Sequence, residues 1–362
     1  RHIYYNFCFY LKYVLPKIIF MLEIIEQMDG EICHCYDIEK NTYIASKANI
    51  FFGKVEGIKF EFTIKSGVMN LLLSINRYSR RVSRRDKSNC LLNNNRDGLV
   101  VIYCGNIYFY DLKKKQLNLT SKLIQCRNVL HGGIAVFGNQ IVFGEYGSNE
   151  KNEDVPIWRS VNDGRNWKII KKIENIKHIH GIYNDPFSND LWISTGDLDG
   201  QCNLFQVIDK NFDNLKRYGD GTQLWRPVSI NFTKRELIWG MDSNLQTSFI
   251  IHFNRKTKTI NKSIDLPGPS WYSKTLNESE NLLQTSVEIG AGSKSNYAHI
   301  FFSNDMQNWK SVVKFKKDFF PMKLFKFGVI AFAEGKQSSK DFIFFGEALN
   351  NIDGKIFKAR IK

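Results

Sequence analysis

Proline is scarce in this chain, 7 among 362 residues, which excludes proline-rich linkers and the low-complexity compositions that cannot bury a core. Cysteine is equally sparse, and the seven present are odd in number and unpaired in spacing. Cys33 and Cys35 flank only His34, one residue short of a two-residue zinc knuckle, and no second pair follows. No cofactor is expected on this ground, a divalent metal being an alternative without support here, and the thiols read as reduced, which favours a cytosolic (cytoplasmic) compartment. Long hydrophobic runs are absent too: Asn6, Lys12, Pro16 and Lys17 break the apolar stretch over 3–20, and no small-residue cleavage site follows it. No membrane span is expected, and Met21 stands as a candidate start behind a first residue that is Arg1.

Acid is the minority charge, 36 Asp and Glu against 51 Lys and Arg, for a net +15. Such a balance raises nucleic acid as a partner. The distribution argues against it, because the lysines are dispersed, as at Lys168, Lys171 and Lys172 or Lys256, Lys258 and Lys262, on segments that read as outer strands and turns. Only Arg80, Arg81, Arg84 and Arg85 form a compact run, read here as a solvated loop. The GAGS segment at Gly290 lacks the lysine and following helix of a phosphate cradle. A monomer without nucleic acid is expected.

What the chain does have is a repeat. Five apolar runs end in a small residue and then an acid, at Glu145, Asp197, Asp242, Glu288 and Glu347, spaced by 52, 45, 46 and 59 residues. Each is preceded by another apolar stretch across a Gly, Asn, Asp or Ser turn and followed by a second hairpin, so each interval holds one four-stranded blade. The fold expected is all-β: a β-propeller of six four-stranded antiparallel blades near 80–122, 131–171, 178–218, 225–264, 270–314 and 322–361. Seven blades are the alternative, because 29–75 holds enough strand-like sequence for most of another. Residues 1–28 read as an extension, 29–79 as strands that close the ring and 80–362 as the propeller, with the strand at Ile58 supplying the missing outer strand of the last blade.

Within one hairpin, Ser160 to Trp167 reads SVNDGRNW, and Ser303 to Trp309 reads SNDMQNW. The first resembles the Asp-box S-x-D-x-G-x-x-W of sialidases and bacterial neuraminidase repeats, with Asn162 in the Asp position; the second keeps Ser303, Asp305 and Trp309 but is one residue shorter and lacks the glycine. The resemblance implies a sialidase-like propeller in which these residues form a turn clamp opposite the functional face. It does not extend to the sialidase catalytic set: the early Arg-Ile-Pro signature is missing, and Arg226 is the one arginine placed on that face.

An up-and-down hairpin brings the residues before the first strand and after the second to one end of a blade. That end collects His131, His178, His180, Gln223, Trp225, Arg226, Trp271, Tyr272, Lys323 and Lys326 with Glu145, Tyr146, Asp197, Asp199, Asp242, Glu288 and Glu347. The set suits a polysaccharide or glycoconjugate: Trp225, Trp271 and Tyr272 as stacking platforms, His131, His180, Gln223, Arg226 and Glu288 as binding groups. Glycoside hydrolysis needs two carboxylates about 5 to 9 Å apart, one of them with a raised pKa. Glu145, Asp197 and Asp242, with Tyr146 in support, are the candidates. Two alternatives are a non-catalytic glycan- or protein-binding scaffold and a metal-assisted uronate lyase. For the latter, His131, His180 and Gln223 would imitate the histidine and glutamine set of propeller-shaped oligogalacturonate lyases, which the chain resembles in architecture alone. Of His178 and His180, at most one is expected to face the site.

Overall fold

The computed structural model describes residues 21–362 apart from 66, 68–71 and 210. Seven four-stranded antiparallel sheets follow one another. The first holds β1 (Leu22–Met28) with the last three strands of the chain; the second holds β2 (Ile32–Asp37), β3 (Thr42–Lys47), β4 (Ile50–Val55) and β5 (Ile58–Thr63). Next come β6 (Ser88–Leu92), β7 (Gly98–Tyr103), β8 (Asn106–Asp111) and β9 (Gln116–Lys122), then β10 (Ile134–Phe137), β11 (Gln140–Gly144), β12 (Val155–Ser160) and β13 (Lys168–Ile173). The fifth blade is β14 (His178–Asn184), β15 (Leu191–Gly196), β16 (Cys202–Val207) and β17 (Leu215–Gly221); the sixth is β18 (Asn231–Phe232), β19 (Glu236–Gly240), β20 (Ser248–Asn254) and β21 (Ile260–Leu266). The seventh is β22 (Ser273–Thr275), β23 (Asn281–Thr285), β24 (Tyr297–Ser303) and β25 (Lys310–Lys316), and β26 (Val329–Phe332), β27 (Phe342–Glu347) and β28 (Ile356–Ile361) return to the first sheet.

The blade number and the closure therefore correct the sequence reading. There are seven blades, residues 32–63 make a whole one, and IKFEFT from Ile58 is its own outer strand. The ring is closed by β1, which pairs with β28 from Leu22 opposite Ile361 to Met28 opposite Ile356. Part of what was read as an extension is thus the outer strand of a blade whose other three strands come from the far end of the chain, which ties the ring together.

Burial follows strand position. Second strands such as β7 (GLVVIY) and β15 (LWISTG) are buried throughout, sandwiched between neighbouring blades, and their β-branched and aromatic residues build the inter-blade cores. Fourth strands face outward and carry lysine, as in β13 (KIIKKI) and β25 (KSVVKFK), which is where much of the positive charge resides and which discourages edge-to-edge pairing.

Both clamp turns join a third to a fourth strand. In the first, Gly164 N donates to Ser160 Oγ at 2.9 Å, Asn166 N to Asn162 Oδ1 at 2.9 Å, and Trp167 Nε1 to Gly164 O at 3.1 Å. In the second, Asn308 N donates to Asp305 Oδ1 at 2.7 Å and Trp309 Nε1 to Met306 O at 3.1 Å, with Met306 at φ 60°. Gly164 has φ 93°, and a Cβ there would lie 2.2 Å from Val100 Cγ2 of the neighbouring blade. Gly164→Ala is accordingly expected to cost about 1 to 3 kcal/mol, from strained backbone and overpacking together. Urea melts check this, and an unchanged midpoint would contradict it.

The arginine run is not a solvated loop. It lies on and just after helix α1 (Arg77–Ser83), capped by Asn76, whose side chain accepts from Ser79 N. Arg80 is buried against Glu31, and Arg81 reaches Asp318 at 2.8 Å and Asp353 at 3.3 Å. Arg77 bridges Glu31 at 3.2 Å and Asp353 at 3.1 Å, so the helix pins the first two blades together. Among the described residues, no helix is long and apolar enough to cross a membrane.

Candidate functional site

The repeated acids do share one position, at or just past the end of each second strand, but their surroundings give them different work. Glu145 is turned into the protein. It accepts from Ile124 N at 2.9 Å, Gln125 N at 2.6 Å and Trp158 Nε1 at 2.8 Å, so both oxygens clamp the connection entering the blade. Glu347 lies 3.8 Å from Lys326, which is itself paired with buried Asp86 at 2.6 Å; burial raises Glu347, but the charges of Lys326, Lys87, Arg77 and Arg81 hold it down to about 2.

Asp197, Asp242 and Glu288, from three consecutive blades, meet around Arg226. Arg226 Nη2 is 2.6 Å from Asp197 Oδ1 and 3.2 Å from Asp242 Oδ2, and Nη1 donates to the Asp197 carbonyl (3.2 Å) and to Gln223 Oε1 (3.1 Å). Gln223 Nε2 in turn donates to the Asp197 carbonyl at 3.0 Å and Asp199 Oδ1 at 3.1 Å, which fixes the amide's orientation. Gly196 precedes Asp197 because a Cβ would fall 2.7 Å from His180 Cε1 and 3.1 Å from Arg226 Cγ. The absence of a side chain there lets both groups close over the strand.

His178 and His180 converge on the same carboxylate. Their Nε2 atoms lie 3.1 Å apart and 3.2 and 3.3 Å from Asp197 Oδ1, with Nδ1 of each against a backbone carbonyl, Gly147 O at 2.8 Å and Pro227 O at 3.1 Å. The expectation that only one imidazole faces the site is wrong, since positions two apart on a strand share a face, and the bulge between Ile179 and Gly181 draws the rings closer. Tyr146 packs on His178 with ring centroids 4.2 Å apart.

The electrostatics split the acids. Burial raises Asp197, but the imidazoles when protonated and Arg226 at all times hold it far below the usual carboxylate range. Asp242 is raised by complete burial despite Arg226, and among the described residues its Oδ1 has no hydrogen-bond partner. Glu288 is pushed up to about 8, first by burial and then by the charge of Asp242, while Ser286 Oγ donates to it at 2.6 Å. At neutral pH the cluster therefore holds one firmly ionised and one protonated carboxyl. Only its lip is open: the Asp197 side chain is 22% exposed and Lys177, 3.2 Å from Asp197 Oδ2, 32% exposed.

Other expected residues lie elsewhere. Trp225 is no platform: it sits in a short 3₁₀ turn (Gln223–Trp225) and packs into the blade core against Gly219, Trp239 and Phe253. His131 lies apart from Gln223 and His180, with Nε2 2.7 Å from Phe332 O, in a cavity on the ring's axis shared with Trp271, Tyr272, Lys87 and Glu347. That cavity, about 30 Å³, admits a water or two and no sugar ring. Tyr272 is buried there, whereas Trp271 is half-buried with Lys87 Nζ 5.4 Å over its ring. Lys177 and Lys87 escaped the sequence reading; a lysine beside each strand-leading motif was the available signal.

No protein-family model matches the chain, and no curated protein sequence matches it. Solved structures do. A chain of the mitotic checkpoint complex superposes with TM-score 0.58 at 9% identity, covering 96% of this chain and 97% of that one. An oligogalacturonate lyase from Vibrio parahaemolyticus gives 0.54 at 9% identity (94% and 92%), and an oligogalacturonate lyase in complex with manganese gives 0.52 at 10% (93% and 90%). At such identities the likeness establishes the fold, an all-β propeller of four-stranded antiparallel blades, which other proteins use for unrelated ends.

Proposed function

We propose that the chain acts on an acidic polysaccharide or glycoconjugate at the Asp197 lip, in a glycoside hydrolase-like manner. The observation that carries the reading is the division of labour around Arg226: Asp197 kept ionised, Glu288 kept protonated. Two carboxyl groups whose environments drive their pKa values apart are what an acid and a base or nucleophile require. The anionic character of the ligand follows from Lys177 at the opening. The half-buried ring of Tyr146, beside His178, offers an apolar face for a sugar. A second reading, elimination from a uronate with metal assistance, is favoured by the meeting of His178, His180 and Asp197.

The test is release of new chain ends from a panel of acidic polysaccharides. Native protein is expected to cleave at least one, and Asp197→Asn and Glu288→Gln each to lower the rate by about 10² to 10⁴. Unsaturated product ends would assign elimination, saturated reducing ends hydrolysis. A glycan that raises the melting midpoint but is never cleaved would replace the enzyme with a binding scaffold.

A further inference from the structure

We propose that His178 Nε2, His180 Nε2 and Asp197 Oδ1 form a binding site for a divalent transition-metal ion. A carbonyl oxygen only accepts, so Nδ1 of each ring, bonded to Gly147 O and Pro227 O, carries the hydrogen. In the neutral rings Nε2 is then a bare lone pair. Two such lone pairs face each other at 3.1 Å, and each faces a carboxylate oxygen at 3.2 or 3.3 Å.

Three acceptors converge with too few donors between them: Arg226 Nη2 reaches Asp197 Oδ1, but among the described residues none donates to either Nε2. A cation answers this. Ligand atoms at about 2.1 Å from an ion are separated by about 3.0 Å at right angles and about 3.4 Å in a tetrahedron, and the three separations here fall within that window. The outer contacts agree as well, since metal-bound imidazoles commonly donate their remaining N–H to a backbone carbonyl.

The donor set selects the metal. Two imidazoles and one carboxylate suit zinc, iron(II), nickel or manganese; calcium and magnesium prefer oxygen alone. Lys177 occupies the other oxygen of Asp197, at 3.2 Å from Oδ2, which leaves Oδ1 as the ligand. Arg226 keeps Asp242 as partner when the ion takes its share of Asp197. With three protein ligands the ion retains open positions at the exposed lip, as in catalytic rather than structural sites. In the sequence a metal enters only with the lyase alternative, on His131, His180 and Gln223; of these the site proposed here keeps His180 alone.

Metal binding requires no glycan, so its test stands apart from that of the proposed activity. The full chain, freed of metal by a chelator, is titrated with Zn²⁺ in a calorimeter at neutral pH, with Ca²⁺ and Mg²⁺ as controls. One equivalent of zinc is expected to bind and neither control ion to compete. His178→Ala and His180→Ala are each expected to weaken zinc at least a hundredfold. Zinc-edge X-ray absorption on the loaded native chain gives a second readout that no misfolded variant can confuse: imidazole scattering with N and O at about 2.0 to 2.1 Å. Absence of stoichiometric zinc, binding that survives both substitutions, or a sulfur shell from Cys33 and Cys35 would each overturn the site.

Discussion

At pH 8 the Glu288→Gln protein is expected to be more stable than the native chain, and near pH 4 the two are expected to melt alike. Glu288 is 8% exposed and its carboxyl is pushed up to about 8 by burial and by Asp242. In the unfolded chain the same group ionises near 4.3. Below that value both states hold the proton and Glu288 contributes nothing. Between there and about 8 the unfolded state gives up its proton while the folded state keeps it. The unfolded state then binds fewer protons, and stability falls as pH rises. The loss accumulates to on the order of 4 kcal/mol by pH 8. Glutamine retains an acceptor for Ser286 Oγ and has no proton to lose, so the slope should flatten. Thermal melts of both proteins from pH 4 to 8 measure it; parallel curves would mean that Glu288 titrates as an ordinary carboxyl.

Arg226→Met should destabilise strongly at pH 7, by about 3 to 5 kcal/mol, the usual cost of stranding a buried charge. Methionine retains much of the stem that packs near Gly196 but strips Asp242 of its cation and leaves Asp197 with Lys177 alone. The sign with pH distinguishes charge from packing. In the native chain Asp197 is depressed, so its contribution is present above its unfolded pKa near 3.9 and is lost as the pH falls through the lower folded value. In the variant its folded pKa moves upward, and protonation relieves the repulsion. The deficit should therefore shrink between pH 7 and pH 4, as read from urea midpoints, whereas a loss of packing alone would be the same at both.

Much of the architecture was legible because five second strands end in an acid at nearly even spacing. The blade of β2 to β5 escaped that pattern because its second strand, TYIASK, ends at Lys47. The closing strand was misassigned for a related reason: LEIIEQM and IKFEFT both mix apolar with charged residues, and only the pairing of β1 with β28 decides which one returns to the last blade. The site was legible as a position but not as a function. Glu145 and Asp197 occupy equivalent places, yet one meets an indole and two amides and the other two imidazoles and a guanidinium. Spacing along a chain carries no information about what a neighbouring blade presents. Trp225 and Trp271 teach the same lesson, since the 3₁₀ turn directs the first into the core and the second stays at the axial opening.

The central claim is that an acidic glycan is held at the Asp197 lip, with Lys177 as its cation. Titration calorimetry of acidic oligosaccharides into native protein and into Lys177→Met, which keeps much of the stem without the charge, tests it most directly. Binding to the native chain that is lost in the variant, with both proteins equally folded, is the expected result. Equal binding by the two, or none by the native chain, would contradict it.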